Sequence, residues 1–351
     1  MNEKLSKGAL ALALCTAAAG ACAEPVGYGA AATGGGTKAA VVVTSLADAQ
    51  AKIDAYKSGG LVLLYTGKFD YARITDVCAQ WRKPAQTLEI KNKSDITIRG
   101  ADDSSANFGI HIAGSASNVI VQNMTIGLLQ GGEAADSISI EGMSSGKPSN
   151  IWIDHNTIFA SLTMCPGAGD ASFDGGIDMK KGAHHITVSY NYVHDYQKVA
   201  LNGYSDSDTA NSASLTTYHH NRFENVKSRL PLLRFGKAHI YNNYFSNVHS
   251  SGINVRMGGL ALIEANYFEN VVNPVTSRDS DSDSLGYWEL RDNFVGSGIS
   301  WTAASGVYAN ATNWTTTKAY GTVGYRYVAD AAGNVKARAL VTAGARTNLA
   351  Q

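Results

Sequence analysis

Seven short apolar segments, each closed by an asparagine, recur through the middle of this chain and restrict its fold more than any other feature. They are NVIVQN ending at Asn123, IWIDHN at Asn156, ITVSYN at Asn191, TTYHHN at Asn221, HIYNN at Asn243, LIEAN at Asn266 and WELRDN at Asn293. Two residues after most of them stands an apolar residue: Ile158, Val193, Phe223, Phe245, Phe268 or Val295. A degenerate eighth copy, DITIRG, ends at Gly100. From Gly100 the spacings are 23, 33, 35, 30, 22, 23 and 27 residues. The base unit is therefore about 22–23 residues, with extra material in particular turns.

Strands of four or five residues with apolar side chains at alternate positions fit three strands and three turns per unit. A leucine-rich repeat has a similar period but needs a Leu scaffold that is absent here. Asn at a fixed position predicts a ladder of amides hydrogen-bonded from coil to coil, with the phenylalanines stacked inside. Together these features predict an all-β, right-handed, single-stranded parallel β-helix, in which each coil touches only its neighbours.

The end of a solenoid exposes apolar surface and needs a cap. Residues 45–57 place Leu46, Ala49, Ile53 and Tyr56 on one helical face, with Ser45 as N-cap and Gly59 beyond the last turn. This helix is the expected N-terminal plug. Residues 301–351 lack the repeat and are expected to lie as a tail along the coils. GYGAAATGGGTK (27–38) lacks the spacing of a phosphate-binding loop and reads as a flexible lead-in.

Residues 1–23 have the order of a secretory leader. Lys4 and Lys7 precede an apolar run, and Ala21-Cys22-Ala23 has the form of a cleavage site. A lipidated Cys22 is the alternative, although no Leu stands three residues before it. Residues 24–351 are then expected to form one exported, soluble, monomeric domain. The full chain balances 29 basic against 29 acidic residues, which excludes a general nucleic-acid binder. No later stretch is long and apolar enough for a membrane helix. With the leader gone, Cys78 and Cys165 remain, a candidate disulfide in an oxidising compartment.

The unusual polar residues cluster in inserted turns and the segments that follow them. Glu133 and Asp136 occupy the first insertion; Asp170, Asp174, Asp178, Lys180 and Lys181 the second; Lys198 precedes the third. Arg229, Arg234 and Arg256 come next. Asp174 and Asp178 are four apart and point the same way on an extended strand. With Asp136 from the preceding coil they would form an oxygen site suited to Ca2+. Solvated turn acids are the plainer reading, and spacing alone does not separate the two. His184–His185 and His219–His220 are adjacent on strands, so each pair is expected to point to opposite faces, in structural roles. Asp154 and His155 are also read as structural.

The runs WIDHN (152–156), DMKKGAHHITVSYNYVHD (178–195), YHHN (218–221), SRLPLLR (228–234) and NPVTSRD (273–279) resemble the extracellular pectate lyases of polysaccharide lyase family 1. The likeness spans roughly residues 27–296. It implies calcium-dependent β-elimination of polygalacturonate. Asp136, Asp174 and Asp178 match the calcium-binding acids of that family, and Asp170 an acid that binds further calcium with substrate. Arg229 matches the proposed base; Lys198, Arg234, Lys180 and Arg256 match residues near substrate carboxylates. In two places the chain departs from the family pattern: Asp174 stands where many relatives have Glu, and Ala134 where another acid is common.

A pectin lyase acting on methylated substrate without calcium is the nearest alternative. Asp136, Asp174 and Asp178 oppose it, while Ala134 favours it. A polygalacturonase would use paired carboxylates and water, and the 229–234 segment lacks that pattern. A non-catalytic, polysaccharide-binding solenoid is the remaining reading, and fold alone does not separate these.

Overall fold

The computed structural model describes residues 25–277, 282–303 and 309–346. The expected leader over 1–23 lies outside them, as do Arg278 and Asp279 of the NPVTSRD run. From Val41 to Val295 the chain winds into stacked coils whose strands pair in parallel with the coil before and the coil after. The first face is an unbroken sheet of ten strands, from Val41–Val43 through Ser149–Asp154 and His184–Ser189 to Tyr287–Arg291. The second face runs from Thr125–Gly127 through Thr157–Phe159, Arg222–Ser228 and Tyr244–Val248 to Phe294–Val295. The third runs from Thr87–Lys91 through Ile138–Glu141, Asp174–Lys180 and Leu232–Arg234 to Val275–Ser277. The eleven-residue strand Tyr192–Asn202 belongs to both, pairing by its first half on the second face and by its second half on the third.

Inside, each coil places one apolar residue above the next. Ile126, Ile158, Val193, Phe223, Phe245 and Phe268 stand in register, and the stack ends at the exposed Val295. The Phe223, Phe245 and Phe268 rings stack with centroids 5.3 and 4.7 Å apart. The asparagine ladder forms at the turn between the first two faces. Asn156 Nδ2 donates to Asn191 Oδ1 at 2.9 Å, and the chain continues through Asn221, Asn243 and Asn266 to Asn293 at 2.9–3.1 Å. Asn156, Asn191, Asn221, Asn243 and Asn266 are fully buried, so each unpaired amide would be costly, and mutual pairing removes the cost.

Asn123 is not part of this ladder. Sheet register aligns Gln122 with Asp154, so Met124 occupies the ladder position, and its backbone N–H donates to Asn156 Oδ1 at 2.9 Å. Asn123 sits one residue earlier, where the chain turns through positive φ, as do His155, Tyr190, His220 and Asn242. Asn tolerates that left-handed conformation better than most residues, which suits Asn123 and Asn242 to the bend.

Left-handed bends, at opposite ends of the first face, also revise the reading of the histidine pairs. His185 and His220 have φ of 54° and 56°, and the bend brings each ring against that of its predecessor, at 4.8 and 5.1 Å. They do not point to opposite faces.

Leu46–Ala55 is the N-terminal plug, with Ser45 Oγ accepting from Asp48 N, Ala49 and Ile53 buried, and Tyr56 closing the helix. Residues 27–36 do not form a loose lead-in: they lie flat across the outside of the first face. Gly29 N donates to Thr187 Oγ1 at 3.0 Å, Gly35 N to Thr97 Oγ1 at 3.0 Å, and Ala32 packs on Ile120 and Trp152. The glycines permit this contact, since a Cβ at Gly29 or Gly35 would come within 2.5 Å of the Ile151 or Leu61 carbonyl oxygen. The C-terminal segment covers the first face further along with Tyr320 and Val323 on Leu260 and Leu262. It then forms the helix Ala332–Thr342, whose Val335 and Ala339 pack on Tyr244.

Candidate active site

The extra residues of the long coils gather along the outside of the third face. Asp178 is on the strand Asp174–Lys180, in register with Ser139 on one side and Leu201 on the other. Asp174 is in register with Lys198, and Lys198 with Ser228. Arg234 is in register with Arg256. Arg229 follows Arg222–Ser228 at a bend with φ of 66°, pinned by Ala200 N donating to Arg229 O at 2.9 Å. The Leu230–Pro231 peptide is cis. Residues spread over more than a hundred positions thus meet because coils one turn apart stack at the strand spacing of about 4.8 Å.

The acids and bases interlock in two groups. Lys180 Nζ lies 2.6 Å from Asp136 Oδ2 and 3.3 Å from Asp178 Oδ2. Asp174 instead takes Lys198 Nζ at 3.1 Å on one oxygen and Arg229 Nη1 at 3.4 Å on the other. Asp170, more exposed, stands 3.8 Å from Lys198 Nζ and 3.7 Å from Lys227 Nζ. Lys227 was not singled out in the sequence; its signal was alternation with Arg229 on the same segment. Arg234 points away from both groups, with Nε on Asp206 Oδ1 at 2.7 Å. Arg256 Nη1 donates to Ser282 Oγ at 3.1 Å.

Burial pushes the Asp178 carboxyl well above the usual range, and the Asp136 charge adds to it. Asp136 is pushed up by burial too, against the pull of Lys180. Burial alone would lower the Lys180 ammonium, but Asp178 and Asp136 outweigh it and raise its pKa. The pair is thus short of positive charge even with Lys180 in place.

That shortage, and a donor set of carboxylates alone, fit a hard dication. Gly175 fits it as well: a Cβ there would stand 1.9 Å from Asp136 Oδ1. Among the described residues, however, no three His, Cys, Asp or Glu side chains converge as a ligand set. Asp136 and Asp178 share the Lys180 ammonium while Asp174 faces Lys198 and Arg229. Ala134 is exposed and brings no carboxylate.

Other polar clusters lie elsewhere. Asp154, fully buried on the first face, accepts from Ser189 Oγ, Gln122 Nε2 and His155 Nδ1 at 2.7–2.8 Å, a closed structural network. Cys78 and Cys165 form a disulfide that ties the helix Val77–Trp81 to the second insertion.

The geometry so far describes a parallel β-helix with charged residues gathered outside one face, and comparison with known proteins says which family it is. A model of the family described as pectate lyase matches residues 2–345. Pectate lyase B of Dickeya chrysanthemi is 45% identical over 320 residues, covering 86% of this chain and 83% of its own. The structure of pectate lyase II from Xanthomonas campestris superimposes with a TM-score of 0.90 at 68% identity, covering 93% of this chain and all of that one. Pectate lyase C from Erwinia chrysanthemi, solved at pH 9.5 with 30 mM Ca2+, matches with a TM-score of 0.84 at 41% identity, over 93% and 97% of the two chains. The chain belongs to the pectate lyase family.

Proposed function

We propose that this enzyme cleaves polygalacturonate with Arg229 as base and with Lys198, Arg234, Lys180 and Arg256 on substrate carboxylates. Asp136, Asp174 and Asp178 would hold Ca2+, with Asp170 at the rim for further ions shared with substrate. Elimination of pectate is the activity that family membership carries. The observation that supports the residue roles is the meeting at Asp174 of Arg229 and Lys198, 3.4 and 3.1 Å away on separate oxygens.

The reaction removes the proton on C5, beside a carboxylate, and breaks the bond from C4 to the glycosidic oxygen, leaving a 4,5-unsaturated end. Negative charge builds on the C5 carboxylate as the proton leaves. Lys198 would hold that charge, Arg229 would take the C5 proton, and the departing glycosidic oxygen would take a proton from water. A bound Ca2+ supplies further neutralisation of the same carboxylate. Arginine is ordinarily protonated, so the rate is expected to rise toward alkaline pH. A groove left open along the outside of the coils would favour endo cleavage.

Export is the localisation we infer, from the leader-like residues 1–23 and the Cys78–Cys165 disulfide. Among the described residues no helix is long and apolar enough to cross a membrane. The enzyme is taken to act as a monomer.

The test is growth of ultraviolet absorbance from the unsaturated product on polygalacturonate, with calcium and then with chelator. Growth that chelator abolishes is expected. Growth unaffected by chelator would remove calcium from the proposal, and growth only on methylated pectin would favour the pectin lyase reading, which Ala134 supports. Saccharide binding with no unsaturated product would leave a non-catalytic solenoid.

A further inference from the structure

Asp206 lies in the insertion between the strands Tyr192–Asn202 and Leu215–His219, and no role follows for it from the groove described above. Its carboxylate is nevertheless the hub of the groove's far end. Oδ1 accepts from Arg234 Nε at 2.7 Å and from Ser282 Oγ at 3.3 Å, while Oδ2 accepts from the backbone N–H of Asp283 at 2.9 Å. Ser282 in turn accepts from Arg256 Nη1. Asn211, in the same insertion, donates from Nδ2 to Arg234 O at 2.6 Å, and Arg234 Nη1 donates to Gly203 O at 3.0 Å.

The arginine is therefore gripped on its side chain and its backbone by one inserted loop. Its side chain is only 8% exposed. Among the described residues Nε pairs with Asp206 and Nη1 with Gly203 O, which leaves Nη2 to meet a carboxylate from outside. A guanidinium on a flexible stem loses much rotamer entropy when it grips a ligand. Holding it beforehand in one orientation moves that loss from binding to folding.

We propose that Asp206 is a positioning residue for substrate binding, fixing the Arg234 guanidinium so that its Nη2 edge meets a galacturonate carboxylate. The inference rests on the reading of Arg234 as a substrate-binding residue. Asp206 also joins the loop carrying it to the 282–283 segment, so the grip spans the two arginines in register, Arg234 and Arg256.

Steady-state kinetics on polygalacturonate with Asp206→Ala, Arg234→Ala and the double variant test this, with the melting temperature of each as the check on folding. The expected result for Asp206→Ala is a KM raised about 10-fold with kcat within about threefold of wild type, the signature of lost binding without lost chemistry. The double variant is expected to match Arg234→Ala, because Asp206 has nothing to position once the guanidinium is gone. Asp206→Glu is expected to recover part of the KM. Where Asp206→Ala fails to fold, Asp206→Asn carries the same comparison.

An unchanged KM in Asp206→Ala alongside a raised KM in Arg234→Ala overturns the positioning role and leaves Arg234 in place. Effects that add in the double variant, or a fall in kcat tracking the melting temperature, also overturn it, since they mark a merely structural loop contact. An unchanged KM in Arg234→Ala instead overturns the underlying reading of the groove.

Discussion

Two turns of the same solenoid handle buried polar groups in opposite ways. Between the first and second faces, one asparagine per coil repeats from Asn156 to Asn293, and each amide is paired by identical neighbours at 2.9–3.1 Å. Along the third face the polar groups differ from coil to coil, and charges are crowded rather than satisfied. Asp136 and Asp178 are both pushed toward their neutral forms by burial despite Lys180. The ladder lowers the energy of the folded state. The groove raises it, leaving crowded carboxylates that remain short of positive charge. Function lies where the repeat is broken, because an identical repeat cannot gather different groups at one point.

The largest effect expected on the groove side is from Arg229→Lys. It should lower the rate of unsaturated-product formation by at least about 100-fold, with an unchanged melting temperature. An unchanged rate would move the role of base to Lys198, which lies 3.1 Å from the same carboxylate.

On the scaffold side, replacing both Cys78 and Cys165 with Ser is expected to cost on the order of 4–5 kcal/mol, the entropy of a loop whose ends are 87 residues apart in sequence. Denaturant unfolding measures it, and a loss near zero would mean that the unfolded chain is already compact around that link. Asn191→Ala should destabilise by about 3 kcal/mol, since it strips partners from Asn156 and Asn221 together. Its kcat should stay within about twofold below the transition, because the ladder does not touch the groove. A large kcat loss in a well-folded Asn191→Ala would erase the division between the two turns.

A further effect, confined to acid pH, concerns three histidines. Burial lowers His220 to about 4, and lowers His219 and His239 as well. All three are on the first face, His220 against Asp330 at 3.1 Å and His239 against Tyr325 at 2.6 Å in the C-terminal segment. The unfolded chain takes up protons at these residues near pH 6.5 while the folded one resists. Stability is therefore present above pH 6.5 and falls as pH drops toward 4, by up to about 3 kcal/mol for His220. His220→Gln should flatten that part of the pH–stability curve, and an unaltered slope would assign it to other groups.

Periodicity carried the reading of the scaffold a long way. Apolar residues two positions beyond most of the Asn could stack only if the coils were in register, and they are. The exception is informative. Asn123 belongs by composition but stands at the left-handed bend, one residue before the ladder position held by Met124. Both positions favour Asn for separate physical reasons, and only strand register tells them apart. The glycines of 27–36 were misread for a related cause. Glycine marks equally a loose segment and a backbone pressed onto a sheet, and the contacts of Gly29 and Gly35 decide between them.

The site divides in the same way. That Asp136, Asp174, Asp178, Lys180, Lys198 and Arg229 would gather outside one face follows from the spacing of the insertions and from the family resemblance, both readable in the sequence. Which charge meets which does not follow from either. The pairing of Lys180 with Asp136 and Asp178, of Asp174 with Lys198 and Arg229, and of Arg234 with Asp206 depends on ångström-scale distances. The coil, its period and the face on which chemistry could collect are legible in residue order, because they follow from hydrophobic alternation repeated along the chain. The ion pairs are not, because electrostatic partnership depends on distance and desolvation, and neither is written in residue order.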